Sequence, residues 1–180
     1  ETLITDGAKF ALYALFQVIL DAQDEVLIPV PYWVSYADQV QLAEGVPVFV
    51  QGKEENQFKV TVEQLTACLT AKTKALVLNT PSNPTGMIYT KEELQAIGEW
   101  AVEHNILIIA DDIYGRLVYG AATFTPIATI SEAIRRQTMI INGVSKTYSM
   151  TGWRIGFAVG DQKIIDAMTN IASQATSNPT

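Results

Sequence analysis

The chain contains, in succession, the run Ala75-Leu-Val-Leu-Asn79, an amphipathic stretch from Thr90 to Glu103, and the run Ile106-Leu-Ile-Ile-Ala110. Both runs are short and almost entirely apolar, as buried strands are. The stretch between them has the length and spacing of a helix, and Thr90 with Glu93 forms a capping-box pattern at its start. This segment therefore predicts a strand, a helix and a second strand, the unit from which α/β folds are built.

The same alternation continues on both sides of this segment. Further apolar runs are predicted strands, at Glu25 to Pro29, Val46 to Val50, Thr138 to Asn142 and Ile155 to Val159. Further amphipathic stretches are predicted helices, at Ala8 to Leu20, Ser35 to Ala43, Thr61 to Thr70 and Asp161 to Ser173. Thr61 with Gln64 is a second capping-box pattern, at the start of the third of these. Because the strands are apolar throughout, both faces of their sheet are expected to be covered. The predicted fold class is α/β, a three-layer sandwich with a mostly parallel central sheet covered by helices on both faces.

The composition excludes several classes of protein. A chain of 180 residues with 48% hydrophobic residues fits one domain with a substantial core. The net charge of -7, with scattered basic residues, argues against a nucleic-acid partner. The single cysteine, Cys68, excludes a disulfide or zinc framework within the chain, and no metal site is predicted. Since the chain has no signal peptide and no long apolar stretch, we expect a cytoplasmic protein without a membrane partner.

Polar and aromatic residues of chemical interest follow the ends of the predicted strands. Trp33, Asn83, Asp111 and Lys146 lie at or just after the carboxyl ends of four of them. In open α/β sheets, ligands bind at this edge. His104, the only histidine, lies at a helix end on the opposite side of the sheet, so histidine-based triad chemistry has little support. The sequence therefore predicts a ligand site at the carboxyl ends of the strands.

Lys146 lies in the run Asn142-Gly-Val-Ser-Lys-Thr-Tyr-Ser-Met-Thr-Gly-Trp-Arg-Ile-Gly156, directly after a predicted strand. A lysine amine is a nucleophile only when unprotonated, and its ordinary pKa of about 10.4 falls on desolvation or beside another cation. The position is typical of a lysine that forms a Schiff base, with Arg154 as a fixed cation for a phosphate. A lysine in a surface loop is the alternative.

Two other parts of the sequence suit charged groups of a ligand, one an anion and the other a cation. Gly7-Ala-Lys9 opens the first predicted helix, where small residues and the helix dipole favour a phosphate, although a glycine here is as often a simple turn. Asp111 ends a hydrophobic strand, where an unpaired carboxylate is costly to bury, so it needs a cation; a helix cap is the alternative. Taken alone, Asn83-Pro-Thr-Gly86 has the pattern of an ordinary turn. For Trp33, a position in the hydrophobic core is the alternative to a place in a ligand site.

Taken together, these motifs resemble those of the class I/II aminotransferases, the aspartate aminotransferase-like group of fold type I. The run around Lys146 is similar to the lysine motif of that family, Ser-Lys-x-(Tyr/Phe)-x-(Met/Leu)-x-Gly-x-Arg-(Ile/Val)-Gly. Three more landmarks occur in the order of the family, Pro31-Tyr-Trp-Val-Ser-Tyr36, Asn79-Thr-Pro-Ser-Asn-Pro-Thr-Gly86 and Ala110-Asp-Asp-Ile-Tyr114. The resemblance covers essentially the whole chain.

The resemblance implies a pyridoxal 5'-phosphate cofactor. Lys146 would bind it as a Schiff base and then act as general acid and base on the substrate. Asp111, rather than the adjacent Asp112, would pair with the protonated pyridine nitrogen and keep the ring an electron sink. The catalytic residues implied are Lys146, Asp111 and Tyr114. The further cofactor contacts implied are hydrogen bonds of Tyr114 and Asn83 to the 3'-oxygen, stacking of Trp33 on the ring, and phosphate contacts of Gly7, Ala8, Lys9 and Arg154.

Two positions depart from the pattern of the family. Gly143 stands where relatives often have a serine that donates to the phosphate, so other donors must bind it. Lys9 stands where many aminotransferases have threonine or serine, and in one aspartate aminotransferase subgroup this lysine helps to read the distal acid of a dicarboxylate. That difference favours aspartate or glutamate as substrate. The resemblance also implies a cis peptide bond between Asn83 and Pro84.

The resemblance implies that residues 1–180 are the cofactor-binding large domain of an aminotransferase, which moves an amino group from an amino acid to a 2-oxo acid and acts as a homodimer. The ends of the chain, including the segment 177–180, predict a fragment that lacks the N-terminal segment and the C-terminal small domain. In the family, the small domain supplies the arginine that clamps the substrate carboxylate. Arg135 and Arg136 precede a strand and cannot replace it, so the isolated segment is expected to be inactive.

Two alternatives stay open on the sequence alone. The first is another fold type I enzyme, such as a carbon-sulfur β-lyase or a cyclopropane-forming synthase, because these share all four landmarks. The second is a non-catalytic, truncated cofactor-binding domain that serves only for folding or association.

Overall fold

The computed structural model describes residues 1–176 and 178–179, and within them it has seven strands and six α-helices. The strands are β1 Thr2–Asp6, β2 Glu25–Val30, β3 Val46–Gln51, β4 Thr73–Asn79, β5 Leu107–Asp111, β6 Thr138–Gly143 and β7 Ile155–Val159. The helices are α1 Gly7–Ile19, α2 Ser35–Leu42, α3 Val62–Cys68, α4 Lys91–Glu103, α5 Glu132–Arg136 and α6 Gln162–Ala175. The predicted alternation of strands and helices is confirmed.

All seven strands belong to one sheet, in the order β1-β7-β6-β5-β4-β2-β3. The pairs β3–β2, β2–β4, β4–β5 and β5–β6 are parallel, whereas β7 pairs antiparallel with both β6 and β1. The predicted mostly parallel sheet is confirmed. In the register, Asn79 of β4 pairs with Asp111 of β5, and Asp111 pairs with Ile141 of β6. These strands therefore end at nearly the same level, and we call this side of the sheet the carboxyl edge.

Two separate hydrophobic cores cover the two faces of the sheet. On one face, α1, α2 and α6 pack with fully buried residues that include Leu12 and Phe16. On the other face, α3, α4 and α5 pack with Leu65 and Leu94, which are also fully buried. Burial of each such side chain contributes about 1.5–3 kcal/mol to stability. Strands covered on both sides need apolar residues on both faces, which explains their unbroken apolar sequence.

The helices begin where side chains can satisfy their free backbone N–H groups. At α4, the Thr90 hydroxyl accepts from the Glu93 N–H at 3.2 Å, and the Glu93 carboxylate accepts from the Thr90 N–H at 2.7 Å. At α3, Thr61 and Gln64 form the same reciprocal pair. Both capping boxes that the sequence predicts are confirmed.

Two short elements were missed by the sequence analysis. Strand β1 exposes half of the Ile4 side chain and is a strand because it pairs with β7 along its whole length. Helix α5 has only five residues, too few for a helical period to be read, and its one buried residue is Ile134. Most of the predicted bounds differ from those of the structure by one or two residues. For example, α1 begins at Gly7 rather than Ala8, and β5 ends at Asp111 rather than Ala110.

No helix among the described residues is long and apolar enough to cross a membrane. The predicted fragment end at 177–180 includes residues 177 and 180, which lie outside the described residues.

Candidate functional site

Eight of the nine predicted site residues line one cavity at the carboxyl edge, with a volume of about 260 Å³. They are Ala8, Lys9, Trp33, Asn83, Asp111, Tyr114, Lys146 and Arg154. The ninth, Gly7, adjoins the cavity, because a Cβ atom at this position would overlap the guanidinium of Arg154. The structure thus brings together residues that are far apart in the sequence, as the common strand edge predicts.

Asp111 is the most buried charged residue of the cavity, with 3% of its surface exposed. Its Oδ2 accepts a hydrogen bond from the Tyr36 hydroxyl at 2.6 Å, and its Oδ1 accepts from the Ile113 N–H at 3.2 Å. Burial raises the pKa of Asp111, while these two hydrogen bonds act to lower it. The sequence predicts a cation beside Asp111, but no ion pair of the described residues involves it. Its free acceptor capacity faces the cavity.

The adjacent Asp112 is also buried, at 5% exposure, but it does not line the cavity. Burial, and then the neighbouring charge of Asp111, raise the pKa of Asp112 to about 8. Successive residues at a strand end point to opposite sides of the sheet, which separates the two carboxylates. The placement of Asp111, and not Asp112, at the cavity agrees with the choice made from the sequence.

Lys146 lies in the turn that follows β6 and is half-buried. Its Nζ is 5.7 Å from the centroid of the Tyr114 ring, within the range of a cation–π contact. Tyr114 follows β5 by three residues, so two neighbouring strands place the amine and the phenol in contact. Among the described residues, the lysine amines that line this cavity are those of Lys146 and Lys9, and Lys9 is exposed.

Arg154 and the start of α1 form the end of the cavity that suits an anion. Arg154 lies between a short 3-10 helix, Thr151–Trp153, and β7, with a φ of 50° that is uncommon for a residue with a side chain. Its Nη1 donates to the Thr151 carbonyl at 3.0 Å. The guanidinium lies against Gly7, the first residue of α1, whose φ of 79° favours glycine. A guanidinium next to a helix N-terminus is an arrangement that binds phosphates.

Trp33 provides a flat apolar wall after β2. It is half-buried, and its ring meets that of Tyr36 edge-on, with centroids 5.3 Å apart and an angle of 88°. The Nζ of Lys9 lies 5.0 Å from the centroid of the Trp33 ring. A flat wall with a cation at one side matches a planar, anionic ligand.

Asn83 is held at the cavity by a second asparagine that the sequence analysis did not select. The Asn79 Oδ1 accepts from the Asn83 N–H at 2.7 Å, and the Asn79 Nδ2 donates to the Asp111 carbonyl at 2.9 Å. Asn79 therefore links the loop after β4 to the end of β5. The peptide bond between Asn83 and Pro84 is cis, which confirms the prediction.

Six residues that the sequence analysis did not assign also line the cavity, namely Leu12, Tyr36, Asn79, Ile113, Ser145 and Thr151. The sequence contained a signal for five of them, because all except Leu12 lie within the motifs that were recognised around Trp33, Asn83, Asp111 and Lys146. Leu12 carried no such signal, since an apolar helix residue has the pattern of any core position.

Three basic residues considered from the sequence lie elsewhere. Arg135 and Arg136 belong to α5, before β6, and both pair with Glu132. His104 ends α4 at the other edge of the sheet and contacts the Trp100 ring. Among the described residues, no group of three or more metal-ligating side chains occurs.

The position of Gly143 explains its departure from the serine common in relatives. Gly143 ends β6 and lies against β7, and a Cβ atom there would be 2.8 Å from the Ile155 carbonyl oxygen. A serine at this position would require the two strands to shift apart.

Comparisons with known proteins agree on one family. The family described as aminotransferase class I and II matches residues 1–180. The chain is 65% identical over 180 residues to the asparagine--oxo-acid transaminase of Streptococcus mutans and 60% identical to the aspartate aminotransferase of Bacillus subtilis, covering 100% of this chain and 46% of each relative. The chain thus spans about half the length of these curated relatives.

Solved structures give the same result. The aspartate aminotransferase of Rhizobium meliloti superposes with a TM-score of 0.97 at 40% identity, covering 100% of this chain and 45% of that one. The aromatic aminotransferase of Pyrococcus horikoshii superposes with a TM-score of 0.96 at 38% identity, covering 99% and 48%. The α/β fold described above is therefore the fold of these structures over the matched region.

Proposed function

The chain belongs to the aminotransferase class I and II family, and from this premise we propose that the protein containing it is a pyridoxal-phosphate-dependent aminotransferase. Its reaction transfers an amino group from an amino acid to a 2-oxo acid. The observation that supports this most strongly is a single cavity that combines the Lys146 amine, the buried Asp111 carboxylate and the Arg154 guanidinium.

The residues present fit pyridoxal 5'-phosphate. Asp111 is buried without a cationic partner among the described residues, as a carboxylate that receives a pyridinium N–H would be. Gly7 leaves room for the Arg154 guanidinium at the start of α1, and a guanidinium beside a helix N-terminus suits a phosphate. Trp33 offers a face for a flat ring, and Tyr114 and Asn83 offer hydrogen-bonding groups at the same cavity.

When bound, pyridoxal phosphate supplies an electrophilic aldehyde and a ring that withdraws electrons. In our proposal, Lys146 anchors the cofactor through its Nζ, and the same amine holds and returns the proton of the substrate α-carbon once the substrate has displaced it. Asp111 keeps a positive charge on the ring nitrogen. Trp33 fixes the plane of the ring and excludes water from one face, while Arg154, Ala8 and Lys9 hold the phosphate end.

The chemical class of the substrate is a finer proposal. We propose aspartate or glutamate as amino donor, because Lys9 supplies a cation beside Trp33 at the mouth of the cavity. The relative named aspartate aminotransferase supports an acidic donor, whereas the relative named asparagine--oxo-acid transaminase is named for the amide of aspartate. Residues 1–180 are proposed to be the large, cofactor-binding domain of a homodimer, with the carboxylate clamp supplied by another part of the protein. The cytoplasmic location stays a prediction.

The test uses the full-length protein that contains this chain. Added pyridoxal phosphate is expected to give a visible absorption band, and borohydride reduction is expected to fix the label on Lys146. Lys146→Ala is expected to lose the band and turnover, whereas Lys163→Ala, which removes an exposed lysine on α6, is expected to keep both. A label found only on other lysines would contradict the proposed site.

Two further measurements separate the alternatives. Turnover of aspartate that requires 2-oxoglutarate supports an aminotransferase, whereas product formation without a 2-oxo acid would indicate a lyase. The isolated segment 1–180 is expected not to transaminate, because a substrate there is neither oriented nor sheltered from water. Turnover by the segment equal to that of the full-length protein would show that the clamp lies within it.

A further inference from the structure

Tyr36 of α2 is among the most buried large side chains of the protein, with 1% of its surface exposed. It nevertheless reaches the cavity, and its hydroxyl donates to Asp111 Oδ2 at 2.6 Å. The two residues are 75 positions apart in the sequence. A short hydrogen bond from a neutral donor to a carboxylate is charge-assisted and is stronger than a neutral one.

Among the described residues, Tyr36 is the only side chain that donates to the carboxylate of Asp111. The other carboxylate oxygen, Oδ1, accepts only the backbone N–H of Ile113, at 3.2 Å. An ionised carboxylate has about four acceptor positions, so two of them are left for a donor in the cavity. With one oxygen fixed by a side chain and the other by the backbone, the plane of the carboxylate is set.

The phenol is well suited to act as a permanent donor. Burial, followed by the nearby charge of Asp111, raises the pKa of Tyr36 well above its ordinary value, so the hydroxyl keeps its proton. The same hydrogen bond acts to lower the pKa of Asp111, against the effect of burial. The other titratable groups that line the cavity are Lys9, Tyr114, Lys146 and Arg154, and Asp112 adjoins Asp111 in the chain.

The ring of Tyr36 also supports Trp33. The two rings meet edge to face, with centroids 5.3 Å apart. This contact limits the rotation of Trp33, since an edge-to-face pair has a preferred geometry. One residue of α2 therefore contacts both the carboxylate and the aromatic wall of the cavity.

We propose that Tyr36 is a positioning residue, which holds the Asp111 carboxylate ionised and oriented toward the ligand through its hydroxyl and braces Trp33 through its ring. This rests on the proposed function, because the benefit of an ionised Asp111 is a ligand nitrogen that stays protonated. Tyr36 touches neither the substrate nor the reacting atoms in this role, and it acts through Asp111.

The experiment compares Tyr36→Phe with Tyr89→Phe in the full-length protein. Tyr89 is a matched control, because it is 5% exposed and its hydroxyl accepts from the Val60 N–H at 2.9 Å, away from the Asp111 cavity. Loss of a hydrogen bond to a charged group is expected to lower kcat/KM about 10- to 100-fold in Tyr36→Phe. Tyr89→Phe is expected to leave kcat/KM close to that of the wild type.

Two readouts distinguish positioning from a structural effect. In cofactor-free protein carrying carboxyl-labelled aspartate, with the Asp111 signal assigned through Asp111→Asn, Tyr36→Phe is expected to raise the pKa of Asp111 by about one unit or more. In loaded protein, the acid limb of the pH profile should move upward by a similar amount. In an Asp111→Asn background, Tyr36→Phe should cost little more, since the two residues act as a unit.

The outcomes separate this inference from the proposed function. If the wild type binds cofactor and transaminates but Tyr36→Phe behaves as Tyr89→Phe does, the role of Tyr36 is overturned and the function stands. An unchanged pKa of Asp111 in cofactor-free Tyr36→Phe overturns the role whether or not cofactor binds. A wild type that neither binds the cofactor nor transaminates overturns the proposed function, and the role of Tyr36 with it.

Discussion

Asp111 and Lys59 are both charged and buried, at 3% and 7% exposure, yet their surroundings are opposite. Lys59 donates to both carboxylate oxygens of Glu93, at 2.7 and 2.9 Å, and so has a complete partner within the fold. Asp111 has a phenol and a backbone N–H as donors and no cation among the described residues. One charge is neutralised by the protein, and the other is left facing a cavity.

The difference separates a structural charge from a functional one. The Lys59–Glu93 pair ties the loop before α3 to the first turn of α4, and Glu93 also completes the capping box of that helix. In such a pair each charge compensates the other, so no ligand is needed to neutralise either of them. A buried carboxylate without a cation is costly on its own, and a fold retains one where a ligand supplies the missing charge.

Asp111→Asn should have the largest effect, because it removes the charge that the cavity leaves unpaired. Turnover of the full-length protein is expected to fall by about 10²- to 10³-fold, as when a group matched to the charge of a transition state is lost. The side chain keeps its size, so cofactor content should change little. Asp38→Asn, at an exposed position of α2, is the control and should keep wild-type turnover. A larger loss in Asp112→Asn than in Asp111→Asn would mean that the assignment is wrong by one residue.

Lys59→Met tests the other half of the comparison. It leaves Glu93 without its cation, and the free energy of unfolding is expected to fall by about 1.5–3 kcal/mol, as for hydrogen bonds to a charged group. Turnover per folded molecule should be unchanged, because Lys59 lies outside the Asp111 cavity. Denaturant unfolding and initial rates give the two numbers. In Lys53→Met, which removes an exposed ion pair with Glu55, the loss should be at most about 0.5 kcal/mol.

Asp112, the buried carboxyl next to Asp111, predicts how the free energy of unfolding depends on pH. The pKa of Asp112 rises from 3.8 in the unfolded state to about 8 in the folded state. Between these two pH values, the Asp112 carboxyl is protonated in the folded protein and ionised in the unfolded chain. Its contribution to stability is therefore full below the lower value and is lost as the pH rises to the upper one. Asp112→Asn stays neutral in both states, so its stability relative to the wild type should increase with pH across this window, by at most about 1.4 kcal/mol per pH unit.

The measurement for Asp112→Asn is urea unfolding of variant and wild type at several pH values. The exposed change Asp38→Asn should show no such trend. A stability difference that is flat between the two pKa values would refute the shift.

Thr90→Ala should have the smallest effect. It removes the hydroxyl that caps α4, but the Glu93 carboxylate still accepts hydrogen bonds from Lys59 and from the backbone N–H of residue 90. The expected loss is about 1 kcal/mol, measured by denaturant unfolding. Thr123→Ala, in an exposed loop, is the control and should be neutral. A loss equal to that of Lys59→Met would show that the cap and the ion pair are not separable.

Local sequence patterns were sufficient for most of the fold. The six apolar strands, five of the helices and both capping boxes could be read because each depends on residues close together in the chain. Strand β1 could not be read, since its pairing with β7 joins residues about as far apart as the chain allows. Helix α5 is too short to show a period.

The sequence by itself determined which residues lie at the carboxyl edge, because a residue just after a strand must emerge where that strand ends. It thereby placed Lys146, Asp111 and Asn83 near one another without any knowledge of their contacts. Only the tertiary structure decided how those residues are held. The partner of Asp111 is a phenol 75 residues away rather than a cation, and Asn79 joins the loop after β4 to the end of β5. Such contacts depend on the order of strands and the packing of α2 on the sheet, and no local pattern of residues carries that information.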